Sequence, residues 1–274
     1  MTRTTNIEWT EHTWNPFIGC TIHTAGCTNC YAMRTAARLQ GFGVPAYDGV
    51  VKSVNGRWVW TGRINVSVSA MEKPLKTHKP SKFFVNSMSD FFHADAPFKG
   101  QDMAYRVMER CPQHVFQILT KRPDLIERFM QRAELKEWPP HIWVGATVER
   151  ADCAHRIETL RKVPAVVRFL SIEPLIGPLG PVNLKGIHWV IVGGESGPGA
   201  RSMQYSWAVE ARDQCIAQKV PLFFKQWGKA ENNPLWFQTP LGIAPARYVE
   251  EVDPNGKGGA LLDGVLWREY PEAA

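Results

Sequence analysis

The chain has 274 residues, 44% hydrophobic and 21% charged, enough to bury a substantial core, and one large domain over residues 1–274 is the simplest expectation. No run of about eighteen apolar residues occurs, and the opening MTRTTNIEWTEHTWNP lacks the apolar stretch of a secretory signal, so a cytoplasmic protein with no membrane span is expected. The formal net charge of +6 and a pI near 9.0 favour a polyanionic partner such as nucleic acid or a nucleotide; the plain alternative is a solvated basic face.

In chain order, IEWT (7 to 10) is a first candidate strand. A loop over 15–31 follows and carries Cys20, Cys27 and Cys30 ahead of YAMRTAARLQ, which has helical composition. Residues 41–62 contain VVKSVNGRWVW, an Asn-Gly flanked by apolar and β-branched residues, and this predicts an inserted hairpin. Short apolar runs then recur at INVSV (64 to 68), FFVNS (83 to 87), VFQIL (115 to 119), IWVGA (142 to 146), VVRFLSI (166 to 172), HWVIVG (188 to 193) and PLFFKQ (221 to 226). Amphipathic stretches alternate with them: DMAYRVMER (102 to 110), PDLIERFMQRAELK (123 to 136), ADCAHRIETLRK (151 to 162) and WAVEARDQCIAQK (207 to 219). Strands that read as continuous apolar runs are covered on both faces, as in a parallel sheet. Six to eight such βα units predict an α/β fold built as a complete or partial (βα) barrel of the TIM type, and the Gly- and Pro-rich 229–274 reads as a loop-rich C-terminal extension.

In such a fold the chemistry collects where strands end. Polar residues stand there repeatedly: Asn86, Ser87, Ser89 and Asp90; Thr120, Lys121 and Arg122; Thr147 and Glu149; Glu173; Gly193, Gly194, Glu195 and Ser196; Lys225, Gln226 and Trp227. Caps and loops would also select Ser, Thr and Asp. If the chemistry is ordinary acid-base catalysis, Asp90, Lys121, Glu173 and Lys225 are the candidate catalytic groups. Lys73, Lys76, Lys79, Lys82, Lys121 and Arg122 are the candidate phosphate contacts, with Lys121 and Arg122, which follow a strand directly, alternatively holding an anionic group inside the site; tryptophans such as Trp9, Trp14, Trp58, Trp60, Trp189 and Trp227 could stack bases or pack a core.

Six cysteines in a reducing compartment point to core residues, metal ligands or catalytic groups rather than disulfides. Cys111, Cys153 and Cys215 lie singly at or within helical stretches and read as core. Three cysteines with one coordination position open is the arrangement by which a [4Fe-4S] cluster can bind an external ligand, and Cys30 at a helix start is placed to support its negative charge. His23 gives the alternative, a Cys3His zinc set on Cys20, His23, Cys27 and Cys30.

EWTEHTWNPFIGCTIHTAGCTNCYA, with FFVNSMSDFFH, FQILTKRP, SIEPL, VIVGGESGPGAR and FFKQWG, resembles the phage- and prophage-associated three-Cys-motif proteins, a family related to radical S-adenosyl-L-methionine (SAM) enzymes. The resemblance runs from about residue 6 to 228. It implies a radical-SAM-like barrel with a [4Fe-4S] cluster on Cys20, Cys27 and Cys30, and SAM as second cofactor, with Gly193, Gly194, Glu195 and Ser196 as its contacts and Glu195 receiving the methionine ammonium. The expected activity is cleavage of SAM to a 5′-deoxyadenosyl radical, with an electron donor for the cluster and a nucleic acid or nucleotide as the substrate class to test first. The competing expectation is a zinc-stabilised nucleic-acid-binding protein without catalysis.

Overall fold

The computed structural model describes residues 5–234, 253 and 256–272. The chain divides into two compact units, residues 1–146 with 162–168, and residues 147–161 with 169–273.

The first unit contains β1 (His12–Trp14), β2 (Phe17–Ile18), α1 (Tyr31–Gly41), β3 (Val51–Val54), β4 (Arg57–Trp60), β5 (Asn65–Val66), α2 (Val68–Met71), β6 (Lys82–Val85), α3 (Phe98–Glu109), β7 (Val115–Thr120), α4 (Ile126–Arg132) and all but the last residue of β8 (Ile142–Thr147). β1, β6, β7 and β8 are parallel neighbours in that order. Their register sorts the side chains onto two faces, because successive strand residues point to opposite sides. One face carries Trp14, Phe83, Val85, Phe116, Ile118 and Val144, all buried, with Phe83 and Phe116 stacked 5.6 Å apart. The other carries Thr13, Phe84, Gln117 and Trp143, continued by Leu119. Phe92, Tyr105, Phe129 and Trp138 form a second aromatic cluster, mostly edge to face, which anchors α3 and α4.

The inserted hairpin is present as β3 and β4, and Asn55 and Gly56 take φ of 49° and 73° between them, the left-handed pair that a two-residue hairpin turn requires. Two expectations are corrected. Residues 64–68 do not supply a parallel strand: β5 pairs antiparallel with β2, outside the parallel set. Residues 7–10 form a turn, with the Thr10 amide donating to the Ile7 carbonyl at 3.3 Å, and the strand begins at His12, where Trp14 is fully buried and its indole N–H reaches the Ala70 carbonyl. α4 is also shorter than 123–136, since Pro123 opens a 3-10 turn and Glu134, at φ 54°, ends the helical path.

The second unit contains α5 (His155–Arg161), β9 (Arg168–Ile172, from its second residue), β10 (Trp189–Gly193), α6 (Tyr205–Ala217), β11 (Leu222–Gln226), and an antiparallel pair, β12 (Leu261–Leu262) and β13 (Val265–Leu266), within the C-terminal extension. β9, β10 and β11 are parallel neighbours in that order. Trp189 packs between Phe169 and Tyr270, and its indole donates to the Glu269 carbonyl at 2.8 Å. The parallel α/β alternation expected from the sequence is therefore present, as four parallel strands in one unit and three in the other among the described residues. Residues 235–252 of the C-terminal extension lie outside the described residues.

Candidate functional site

Cys20 follows β2, Cys27 closes the 3-10 turn Ala25–Cys27, and Cys30 stands at the N-cap of α1. Backbone bonds from Cys27 to the Thr24 carbonyl and from Cys30 to the Cys27 carbonyl coil residues 24–30, and Cys27 and Cys30 act electrostatically on Cys20. Cys20 and Cys30 pack against a buried apolar cluster that includes Ile18, Ala32, Met33, Ala36 and Met88. Burial pushes the Cys20 thiol up to about 12; Asp90, Cys27 and Cys30 add to the rise and Arg122 opposes it. Burial raises Cys30 too, against the Ala32 N–H and Lys121, which favour its thiolate. His23, by contrast, is exposed, and among the described residues no three His, Cys, Asp or Glu side chains converge tightly enough to hold one metal ion.

The loop is held by a buried ion pair. Asp90, at the end of the β6 segment, accepts from the Arg122 Nη1 at 2.9 Å, the Thr120 hydroxyl at 2.7 Å, and the backbone amides of Phe92 and Lys121 at 3.0 and 3.1 Å. The Arg122 guanidinium extends from there to the Thr21 hydroxyl at 2.7 Å and to the Cys20 Sγ at 3.9 Å. His93 completes the group: its Nδ1 accepts the Asp95 amide at 3.2 Å, so its proton sits on Nε2, 2.9 Å from the Thr21 hydroxyl. Asp90 and Lys121 are thus brought together through the Lys121 amide, and the Lys121 side chain acts electrostatically on Cys30. Arg122 is a correction. It was expected among the phosphate contacts, yet its side chain is 7% exposed and committed to Asp90, because a guanidinium leaves water only for a partner with matching acceptors. Lys73 is likewise turned inward to the Thr13 carbonyl at 2.7 Å, and Lys76 pairs with Glu72. Of the tryptophans, Trp9, Trp14, Trp60, Trp189 and Trp227 are core residues, and only Trp58 among those six presents an exposed ring.

In the second unit Lys225 pairs with Glu173, whose peptide bond to Pro174 is cis. Glu149 and Arg156 form a separate buried pair at 2.9 Å. Glu195 is buried and its carboxylate accepts from Arg201 three times, from the backbone amide at 2.8 Å, from Nε at 2.9 Å and from Nη2. Gly194 lies against backbone: a Cβ there would fall 2.1 Å from the Trp227 carbonyl oxygen, so its missing side chain serves chain crossing. Gly193 faces Glu173, with a Cβ position 3.3 Å from the carboxylate carbon, and Ser196 is half-buried. Cys111, Cys153 and Cys215 are buried as expected of core residues.

A family model described as a protein of unknown function (DUF5131) matches residues 4–271 of the chain. The chain belongs to the DUF5131 family. That membership spans both units and every residue of the site. No curated protein and no solved structure matches the sequence. Thr21 and His93 were not singled out as site residues from the sequence; Arg122 and Thr120 stood in the strand-end cluster, but their link to Asp90 and Thr21 joins positions 30 to 101 residues apart. No helix among the described residues is long and apolar enough to cross a membrane.

Proposed function

We propose that this chain is a radical-SAM-like iron-sulfur enzyme on a partial (βα) barrel, with Cys20, Cys27 and Cys30 as ligands of a [4Fe-4S] cluster. The observation that carries the reading is the cysteine loop itself: Cys20 lies 3.9 Å from a buried guanidinium, Cys27 and Cys30 act electrostatically on Cys20, and Cys30 stands at the N-terminus of an eleven-residue helix. Each thiolate of such a cluster binds a different iron, so its ligands ring the cofactor and need not converge on one point. A zinc set must converge tetrahedrally on one ion, an arrangement that no three His, Cys, Asp or Glu side chains show among the described residues. Burial alone favours the protonated Cys20 and Cys30 thiols, and metal coordination would remove those protons.

When bound by Cys20, Cys27 and Cys30, a cluster given one electron would supply the reductive cleavage of SAM to methionine and a 5′-deoxyadenosyl radical able to take a hydrogen atom from the substrate. The chain's own residues hold and shield. Arg122 offsets charge at Cys20, Asp90 fixes Arg122, and Thr21 ties the loop to Arg122 and His93; Lys121 offsets charge at Cys30. Asp90 is therefore a positioning residue rather than an acid or base, since its oxygens already accept from four donors. Gly193 to Ser196 remain the SAM contacts implied by the resemblance, and Glu195 would have to exchange Arg201 for the methionine ammonium. A one-electron donor and a nucleic acid or nucleotide substrate complete the proposal, the latter supported by the +6 net charge.

The test is turnover of SAM. Protein loaded anaerobically with iron and sulfide, then given dithionite and SAM, should release 5′-deoxyadenosine and methionine. Cluster-loaded protein that leaves SAM intact would contradict the enzyme reading while preserving the cluster assignment.

A further inference from the structure

Asn86 is 3% exposed, yet neither Nδ2 nor Oδ1 has a hydrogen-bond partner among the described residues. Its backbone is held at φ 62°, in the left-handed region, with its amide on the Trp14 carbonyl at 2.8 Å and its carbonyl accepting from Ser89. Asn tolerates that conformation better than most residues, but glycine adopts it without strain. A buried amide left unsatisfied on a strained residue lowers stability twice over, and such sites cluster where ligands bind.

The surroundings say what kind of ligand. Asn86 directly follows Val85, which the register sets opposite Ile118, and Gln117 precedes Ile118 on that next strand, opposite Phe84. Gln117 is fully buried, and its Oε1 also has no partner, while its Nε2 reaches only the Trp9 carbonyl at 3.5 Å. Trp9 and Phe84 are tilted against each other with centroids 4.7 Å apart. Thr13, Phe84 and Leu119, on the face that carries Gln117, are half-exposed. Residues 87–89 then join this strand end to the cysteine loop, through the Ser87 and Met88 bonds to Asn15 Oδ1 and the Ser89 hydroxyl to the Gly19 carbonyl.

We infer that Asn86, with Gln117 on the next strand, reads the edge of a nucleobase that sets a ring-nitrogen acceptor next to an amino donor, as adenine and cytosine do. A carboxamide is the complement of that edge: Nδ2 donates to the ring nitrogen and Oδ1 accepts from the amino group, while Phe84 offers the base an aromatic face. The inference takes up the substrate class proposed above but none of its radical chemistry, so it holds or fails whether or not the protein carries a cluster.

Ligand-observed NMR titration of the full chain with adenosine and with cytidine tests it. At least one should bind, and Asn86→Gly should weaken that binding roughly ten- to a hundredfold, the range expected for loss of a bidentate amide-base pair, without lowering the melting temperature. Purine riboside, which lacks the amino group, should bind the unaltered protein at least tenfold more weakly than adenosine if adenosine is the base bound. SAM as competitor identifies the source: displacement places the cofactor's own adenine on Asn86, and no displacement places a substrate base there. No binding of either nucleoside, equal binding by Asn86→Gly, or a clear fall in melting temperature in that variant would overturn the inference, the last because it would show that the amide serves the fold.

Discussion

Replacing Asp90 by Asn changes one atom and should be among the most damaging conservative substitutions in the chain. The Asp90 and Arg122 side chains are 6% and 7% exposed, so the pair sits out of water. Asn keeps one oxygen for the Thr120 hydroxyl and the Phe92 amide, but it turns an NH2 toward the Lys121 amide and the Arg122 guanidinium, setting donors against donors. The guanidinium also loses its counter-charge. Breaking a buried pair from one side costs about 3–5 kcal/mol, a large share of the roughly 5–15 kcal/mol that holds a typical domain. Urea titration followed by tryptophan fluorescence would read the shift in midpoint. Arg122→Met combined with Asp90→Asn should recover part of the loss, because an apolar chain of similar length leaves no buried charge behind. A single Asp90→Asn variant within about 1 kcal/mol of the parent would refute the reasoning and show the pair to be effectively solvated.

Gly194→Ala should destabilise the protein by at least about 1–3 kcal/mol, since the new Cβ would collide with backbone at Trp227 rather than with a movable side chain; an unchanged urea midpoint would contradict this. Burial lowers the His93 pKa below 6.5, and Arg122 lowers it further, so the unfolded chain binds the proton more readily than the folded one. Its contribution is therefore present above about pH 6.5 and lost as pH falls through the lower folded value. His93→Gln should flatten the loss of stability on acidification in that window, and an identical pH profile in the variant would sink the assignment.

The parts of the fold legible in the sequence are those where one physical constraint acts alone. Strands buried on both faces must be apolar throughout, and Ile142 to Ala146 and Trp189 to Val192 read that way because they are. The hairpin was legible because Asn-Gly is the pair that meets a left-handed turn most cheaply. Asn65 and Val66 were misread because a β-branched run looks alike in either kind of sheet, and its partner, Phe17 with Ile18, is only two residues long. The cysteine triplet was visible from spacing; the Arg122 clamp was not, because nothing local tells a buried arginine from a basic surface residue until its acceptors at Asp90 and Thr21 are brought to it. The Glu195 and Arg201 pair was closer to hand. Gly197 and Gly199, at φ 92° and 76°, fold a six-residue loop back on itself, and GGESGPGAR carries both charges and both glycines.

The central claim is that Cys20, Cys27 and Cys30 together hold an iron-sulfur cluster. Metal and sulfide analysis of protein purified without oxygen tests it most directly. The account predicts a brown protein with close to four irons and four sulfides per chain and broad absorption near about 400 nm, lost when Cys20, Cys27 or Cys30 is replaced by Ala and kept in His23→Ala. A colourless protein holding one zinc per chain, lost in His23→Ala, would contradict it.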